Sequence, residues 1–139
     1  GIIVAHNFGN LKEGDKQSRL LPNVAALVKN ALDIKNPKCT AFDLLFGCPG
    51  WIQGLIQAHH SIQAKAANKI LVIGVETMSR VLDPNDIDTM LFGDGAGAVV
   101  LEASNDEDEV TCYHLHQYTC PHAIPEKYSK VPQEGHKMS

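Results

Sequence analysis

The stretch Leu44-Leu45-Phe46-Gly47-Cys48-Pro49-Gly50-Trp51 reads as a strand turning sharply into a helix. An apolar run ends at Gly47, and Pro49 sits where a helix would start. Proline is favoured at the first helical position, because its missing N–H would find no partner there. Behind it Ile52, Leu55, Ile56, His59, Ile62 and Gln63 recur on one face of a helical period. Cys48 is thereby expected at the helix N-cap, where unpaired backbone N–H groups and the helix dipole favour negative charge. Negative charge on sulfur makes a nucleophile. With Gly47 and Gly50 on either side, a sulfur at such a turn stands clear of the sheet, open to a substrate carbonyl. The same local pattern fits a buried, inert cysteine, a common fate of this residue, and the turn alone leaves both readings open.

Upstream, Ile2-Ile3-Val4-Ala5 is a short continuous apolar run, the pattern of a strand buried on both faces. Asn7 to Gly14 carries loop chemistry. Leu20, Leu21, Val24, Leu27, Val28 and Ala31 recur at three and four, and Pro22 belongs in a first turn, so the spacing predicts a helix from about Leu21 to Leu32. Asn36-Pro37 breaks the chain before a second buried strand, Thr40 to Phe46. Downstream, Lys69 to Val75 is the clearest strand in the sequence. A polar loop, Leu82 to Asp88, holds the turn signal Asp83-Pro84-Asn85-Asp86. Gly97 to Ala103 is a fourth strand and Asn105 to Glu109 an acidic, solvated turn. Val110 to His116 returns as a fifth, antiparallel strand, and beyond Tyr118 the pattern dissolves into loop. The order β-α-β-α-β-loop-β-β predicts an α/β layer fold with a mostly parallel sheet.

Of the 139 residues, 44% are hydrophobic and 20% charged, which supports one domain with a core and excludes a disordered tail. A net charge of −4 with scattered Lys and Arg argues against a nucleic-acid or polybasic membrane surface, because phosphate binding needs a concentrated basic patch. The longest apolar run, Ile70 to Val75, is strand-sized, far short of the roughly 20 residues that span a bilayer. Four cysteines make no disulfide framework in a chain of this size, so the expected compartment is the cytoplasm. The chain opens inside a strand at Gly1-Ile2-Ile3 without an initiator Met and closes on polar residues, Glu134 to Ser139; a piece of a longer polypeptide is expected.

Three segments carry a resemblance by their order and spacing. Ala41-Phe42-Asp43 leading to Gly47-Cys48-Pro49-Gly50, then Ile70 to Glu76, then Phe92-Gly93-Asp94-Gly95-Ala96-Gly97-Ala98-Val99-Val100-Leu101, are together similar to the thiolase superfamily. Within it the chain resembles the 3-oxoacyl-[acyl-carrier-protein] synthase III family of condensing enzymes, over about Ile2 to Ser104 and weakly to the end. The resemblance implies a thiolase-like βαβαβ half, so that 1–139 would be a partial N-terminal domain, 117–139 mostly loop, within an enzyme that works as a homodimer. It also implies that Cys48 is acylated by a coenzyme A thioester. The acyl-enzyme then condenses with malonyl-acyl carrier protein, which loses CO₂, to give a 3-oxoacyl product that starts a fatty-acid chain. Acyl-CoA and acyl carrier protein are then substrates and partners, and no cofactor is required. Backbone N–H groups, that of Cys48 included, would form part of an oxyanion hole.

Met78 and Phe92 match positions lining the acyl pocket in relatives, and their size suggests a short acyl group. Trp51 stands where relatives have a smaller aromatic, at the expected pocket mouth. Ile87 takes a place where relatives often carry an Arg for the coenzyme A nucleotide, which admits a carrier-protein-bound donor. Pro49 replaces the small residue usual after the nucleophile. The His and Asn that polarise the malonyl thioester lie in the second half of relatives; His59, His60, His114, His116 and His122 match neither. Two alternatives stand beside this reading. One is a specialised ketosynthase-like acyltransferase of secondary metabolism, suggested by Trp51 and Ile87. The other is a non-catalytic half that needs a partner chain.

Other signals receive structural readings. Gly93 to Gly97 is followed by a strand rather than a helix, which argues against a phosphate cradle and for tight backbone packing beneath the nucleophile. Cys112, His114, His116, Cys120 and His122 match no zinc spacing, and strand alternation accounts for the first three, so no metal is expected. Cys39 is expected half-buried, His59 in the core, and Glu76 in structural hydrogen bonds at the sheet's carboxyl edge.

Overall fold

β1 (Ile2–Ala5) is apolar at every position because both of its faces are covered. Ile2 and Val4 point to one side, where Ala25, Val24 and Val28 of α1 (Val24–Ala31) meet them. Ile3 points to the other, into a cluster with Ala58 and Ile62 of α2 (Gly50–Gln63). A computed structural model describes residues 1–12, 17–83 and 85–104, together with the backbone of 110–118. Besides β1 the sheet contains β2 (Ala41–Leu44), β3 (Lys69–Thr77), β4 (Asp94–Ala103) and β5 (Val110–Tyr118), in the order β2-β1-β3-β4-β5. β1 pairs parallel with β2 and with β3; β4 runs antiparallel to β3 and β5 antiparallel to β4. Four strands therefore point one way, and β4 alone runs against them. The alternation of β3 repeats that of β1: Ile70 and Val72 lie on the α2 side, Leu71, Ile73 and Val75 on the α1 side. Among the described residues no helix is long and apolar enough to cross a membrane.

The structure moves several boundaries. α1 starts at Val24 rather than Leu21. Asn23 caps it by accepting the Ala26 N–H at 2.9 Å, and the Asp43 carboxylate on β2 accepts the N–H groups of Val24 and Ala25 at 2.8 Å each. Those bonds satisfy the helix end, and Pro22 stands outside it. β4 begins at Asp94, so the glycine motif lies inside the strand from its second residue on, with Gly93 just before it.

The largest correction concerns α2. Its buried residues are Gly50, Gly54, Ala58 and Ile62, a stripe at four-residue spacing, while Ile52 and Ile56 are exposed and His59 is exposed rather than in the core. A Cβ added at Gly54 would meet Val72 Cγ1 at 2.9 Å. At Gly54 the helix lies so close to the sheet that a larger side chain would not fit, so closeness overrides hydrophobicity along this part of the face. Ile62 is buried farther along the helix and Leu55 packs against the same core, both as expected. Accordingly, Gly54→Leu is expected to lower stability by about 2–3 kcal/mol in chemical denaturation through overpacking, although leucine is the better helix former. Ile52→Ala, 57% exposed in the parent, should change it by less than about 0.5 kcal/mol.

Candidate functional site

The carboxyl ends of β1, β2 and β3 lie side by side, and each supplies one part of a site: Asn7 just after β1, the Gly47-Cys48 turn after β2, and Glu76 in the last two residues of β3. After Leu44 the chain must reverse into α2 within five residues. Gly47 makes this possible by adopting φ +69°, a left-handed conformation that glycine enters without steric cost. Its carbonyl accepts the Gly50 N–H at 2.9 Å and closes the turn. Gly50 is buried at the foot of the helix, with Ala5 Cβ standing 3.3 Å from where its own Cβ would be.

Cys48 lies at the crest of this turn, exposed. It is not the N-cap: that position belongs to Pro49, and the helix begins at Gly50, one residue later than the proline rule places it. Pro49 offers no side-chain hydrogen bond to the first turn. What the turn gives Cys48 is therefore access, through a glycine-hinged projection away from the sheet.

The turn is tied to its neighbours by an asparagine. The Gly47 N–H donates to Asn7 Oδ1 at 3.0 Å, while Asn7 donates through both its backbone N–H (2.8 Å) and Nδ2 (2.9 Å) to Glu76 Oε2. Glu76 thus has the structural role expected of it. Beneath lies a buried histidine, His6, whose Nε2 is 2.8 Å from Asp43 Oδ2 and whose Nδ1 accepts the Gly9 N–H at 2.9 Å. The Gly9 bond assigns the proton to Nε2 and leaves no ring nitrogen free to serve as a base. Asn7, His6 and Asp43 were not foreseen as a group. The available signal was Asp43 itself, a carboxylate inside an apolar strand, which must find donors if it is buried.

The remaining candidates are divided by the fold. Met78 begins a short 3₁₀ turn (Met78–Arg80) directly after β3, and Phe92 precedes β4, so both lie at the Thr77/Asp94 end of the β3–β4 pair, the edge that carries Cys48. Asp94 holds this end: the Ser79 N–H donates to Oδ1 at 2.8 Å and the Ser79 hydroxyl to Oδ2 at 2.6 Å. Trp51 turns inward instead. Its ring packs on Gly74, whose added Cβ would meet Trp51 Cδ1 at 3.0 Å, and its Nε1 has no hydrogen-bond partner among the described residues. At the glycine motif a Cβ on Gly93, Gly95 or Gly97 would meet nothing within 4 Å among the described residues. Cys39 is half-buried, as expected. The side chains of Cys112, His114 and His116, and the whole of Cys120 and His122, lie outside the described residues, as do 105–109 and 119–139. A cleft of about 160 Å³ opens on the α1 side, lined in part by His6, Glu76, Thr77 and Arg80; Cys48 is not in its wall, so it is no acyl pocket for that sulfur.

A family model described as 3-Oxoacyl-[acyl-carrier-protein (ACP)] synthase III matches residues 42–119. The beta-ketoacyl-[acyl-carrier-protein] synthase III of Solibacter usitatus is 44% identical over 93 residues, covering 66% of this chain and 28% of that protein. The enzyme of the same name from Vesicomyosocius okutanii is 47% identical over 88 residues, covering 63% and 27%. The crystal structure of the Thermus thermophilus synthase III superposes with a TM-score of 0.63 at 40% identity, covering 76% of this chain and 30% of that one. The matched part thus spans less than a third of these relatives.

Access predicts thiol reactivity. Under native conditions Cys48 is expected to be alkylated by iodoacetamide at least about five times faster than half-buried Cys39, read by peptide mass spectrometry. Equal rates would remove the argument that the turn presents the sulfur.

Proposed function

The chain belongs to the 3-oxoacyl-[acyl-carrier-protein] synthase III family, and on that premise we propose that it carries the acyl-accepting cysteine of a condensing enzyme that starts fatty-acid chains. The observation that supports this most directly is Cys48 itself, exposed on a glycine-hinged strand-to-helix turn at the sheet's carboxyl edge.

In this reading the Cys48 thiolate attacks the carbonyl carbon of an acyl-coenzyme A. A carbon–sulfur bond forms, the tetrahedral oxyanion collapses, and coenzyme A leaves as a thiolate that takes up a proton. The covalent intermediate divides one difficult transfer into two easier ones. Malonyl-acyl carrier protein then loses CO₂, and the resulting carbanion attacks the acyl-cysteine carbonyl, releasing 3-oxoacyl-carrier protein and regenerating the thiolate. The Cys48 backbone N–H contributes to the oxyanion hole, where a preorganised donor is worth more than in water. The His and Asn that polarise the malonyl thioester belong to the part of such enzymes that this chain does not span. Met78 and Phe92 wall the acyl site and favour a short acyl group. Trp51 acts from beneath, seating the first turn of α2 on Gly74. No cofactor takes part; acyl-CoA and acyl carrier protein bind as substrate and partner, in a cytoplasmic homodimer.

A second reading is favoured by Ile87, which is 78% exposed where relatives often have an arginine for the coenzyme A nucleotide. Without that cation the donor would be an acyl group on a carrier protein, as in a specialised ketosynthase.

Incubation with acetyl-CoA or with acetyl-acyl carrier protein separates the two. We expect one acetyl group on the Cys48 peptide from acetyl-CoA, and none after Cys48→Ala. Labelling from the carrier protein alone would establish the second reading, and labelling from neither donor would overturn both.

A further inference from the structure

We propose that Asn7 is a positioning residue for the Cys48 turn and that Glu76 sets the orientation in which Asn7 works; this rests on the reading of Cys48 as nucleophile. The Gly47–Cys48 peptide carries the Cys48 N–H, so any rotation about Gly47 swings both that N–H and the sulfur behind it. Glycine opposes such rotation least of all residues. Gly47 is held at both ends: its carbonyl by the Gly50 N–H at 2.9 Å, and its N–H by Asn7 Oδ1 at 3.0 Å. The first bond is internal to the turn. The second anchors the turn to the chain leaving β1.

Only one orientation of the Asn7 amide performs this task, with oxygen toward Gly47 and nitrogen away. Glu76 selects it, because Oε2 accepts Nδ2–H at 2.9 Å and the Asn7 backbone N–H at 2.8 Å. A flipped amide would face the carboxylate with its oxygen and the Gly47 N–H with its nitrogen, losing both bonds and placing like partial charges together. Gly47 follows β2, Asn7 follows β1 and Glu76 is in the last two residues of β3; these strands are adjacent in that order, so the chain of bonds runs across the sheet edge. Asp in place of Asn7 would keep the acceptor for Gly47 but set a second carboxylate against Glu76. Gln in place of Glu76 would keep a carbonyl oxygen able to accept both bonds.

The test compares two reactions of the same sulfur in the full chain. Acylation by acetyl-CoA needs the sulfur and the Cys48 N–H in correct relation; alkylation by iodoacetamide needs the sulfur alone. Asn7→Ala, Asn7→Asp and Glu76→Ala are expected to slow acylation about tenfold while leaving alkylation within about twofold, and Glu76→Gln to restore the parent rate. Parent-like acylation in Asn7→Ala, or a parallel fall of both reactions, would overturn the proposal, since loosened structure alone moves both. Hydrogen exchange at the Gly47 amide decides it independently of any acyl donor. Exchange about tenfold faster in Asn7→Ala supports the anchor even if the parent is never acylated; an unchanged rate overturns it.

Discussion

Helix α2 lies so close to β1 and β3 that Gly54 has room for a hydrogen and nothing larger: a methyl carbon there would stand 2.9 Å from Val72 Cγ1. One turn earlier, Gly50 rests above Ala5 in the same way. Because the helix is seated this low, the segment between Leu44 and Gly50 cannot take a wide path. It must turn tightly, Gly47 must enter the left-handed region, and the residue after it is lifted to the crest. The presentation of Cys48 is thus a consequence of helix–sheet distance. The aliphatic residues Ile52 and Ile56, which would have held the helix farther off had they faced inward, are turned outward for the same reason.

Polar ties then fix the layers in register. Asp43 is a carboxylate on a strand, yet it caps a helix: it accepts the Val24 and Ala25 N–H groups and the His6 ring N–H. α1 has no acidic residue in its own first turn, so β2 supplies the negative charge that a helix N-terminus favours. A second set of bonds, from Ser79 to Asp94, pins the middle of the 3₁₀ turn to the first residue of β4. Together these ties hold the carboxyl edge at β1, β2 and β3–β4, where an uncompensated polar group would cost about 1–3 kcal/mol if buried.

Much of this was legible along the chain. The unbroken apolar run of Ile2–Ala5 implied burial on both faces, and its neighbours α1 and α2 cover it as implied. The glycine–cysteine–proline sequence implied a sharp strand-to-helix turn, and the end of β3 implied a structural glutamate. What misled was magnitude without geometry. Periodicity counted Ile52 and Ile56 as the buried face of α2 because hydrophobicity scales reward bulk, and a glycine stripe leaves no trace on them. Pro22 and Pro49 both invited placement inside a first turn, and both lie before it, since Asn23 and the Gly47 carbonyl complete the entries instead.

By itself, then, the order of apolar runs, glycines and prolines determined the α/β layering, the identity of the exposed nucleophile candidate and the family resemblance, because these depend on neighbours within a few residues of one another. Tertiary structure alone decided which face of α2 is buried, that Trp51 turns inward onto Gly74, and that Asn7, Glu76 and Gly47 meet across 69 and 40 residues of chain. Those outcomes hinge on the separation between layers and on the adjacency of β2, β1 and β3, and neither distance nor strand order is written in local sequence.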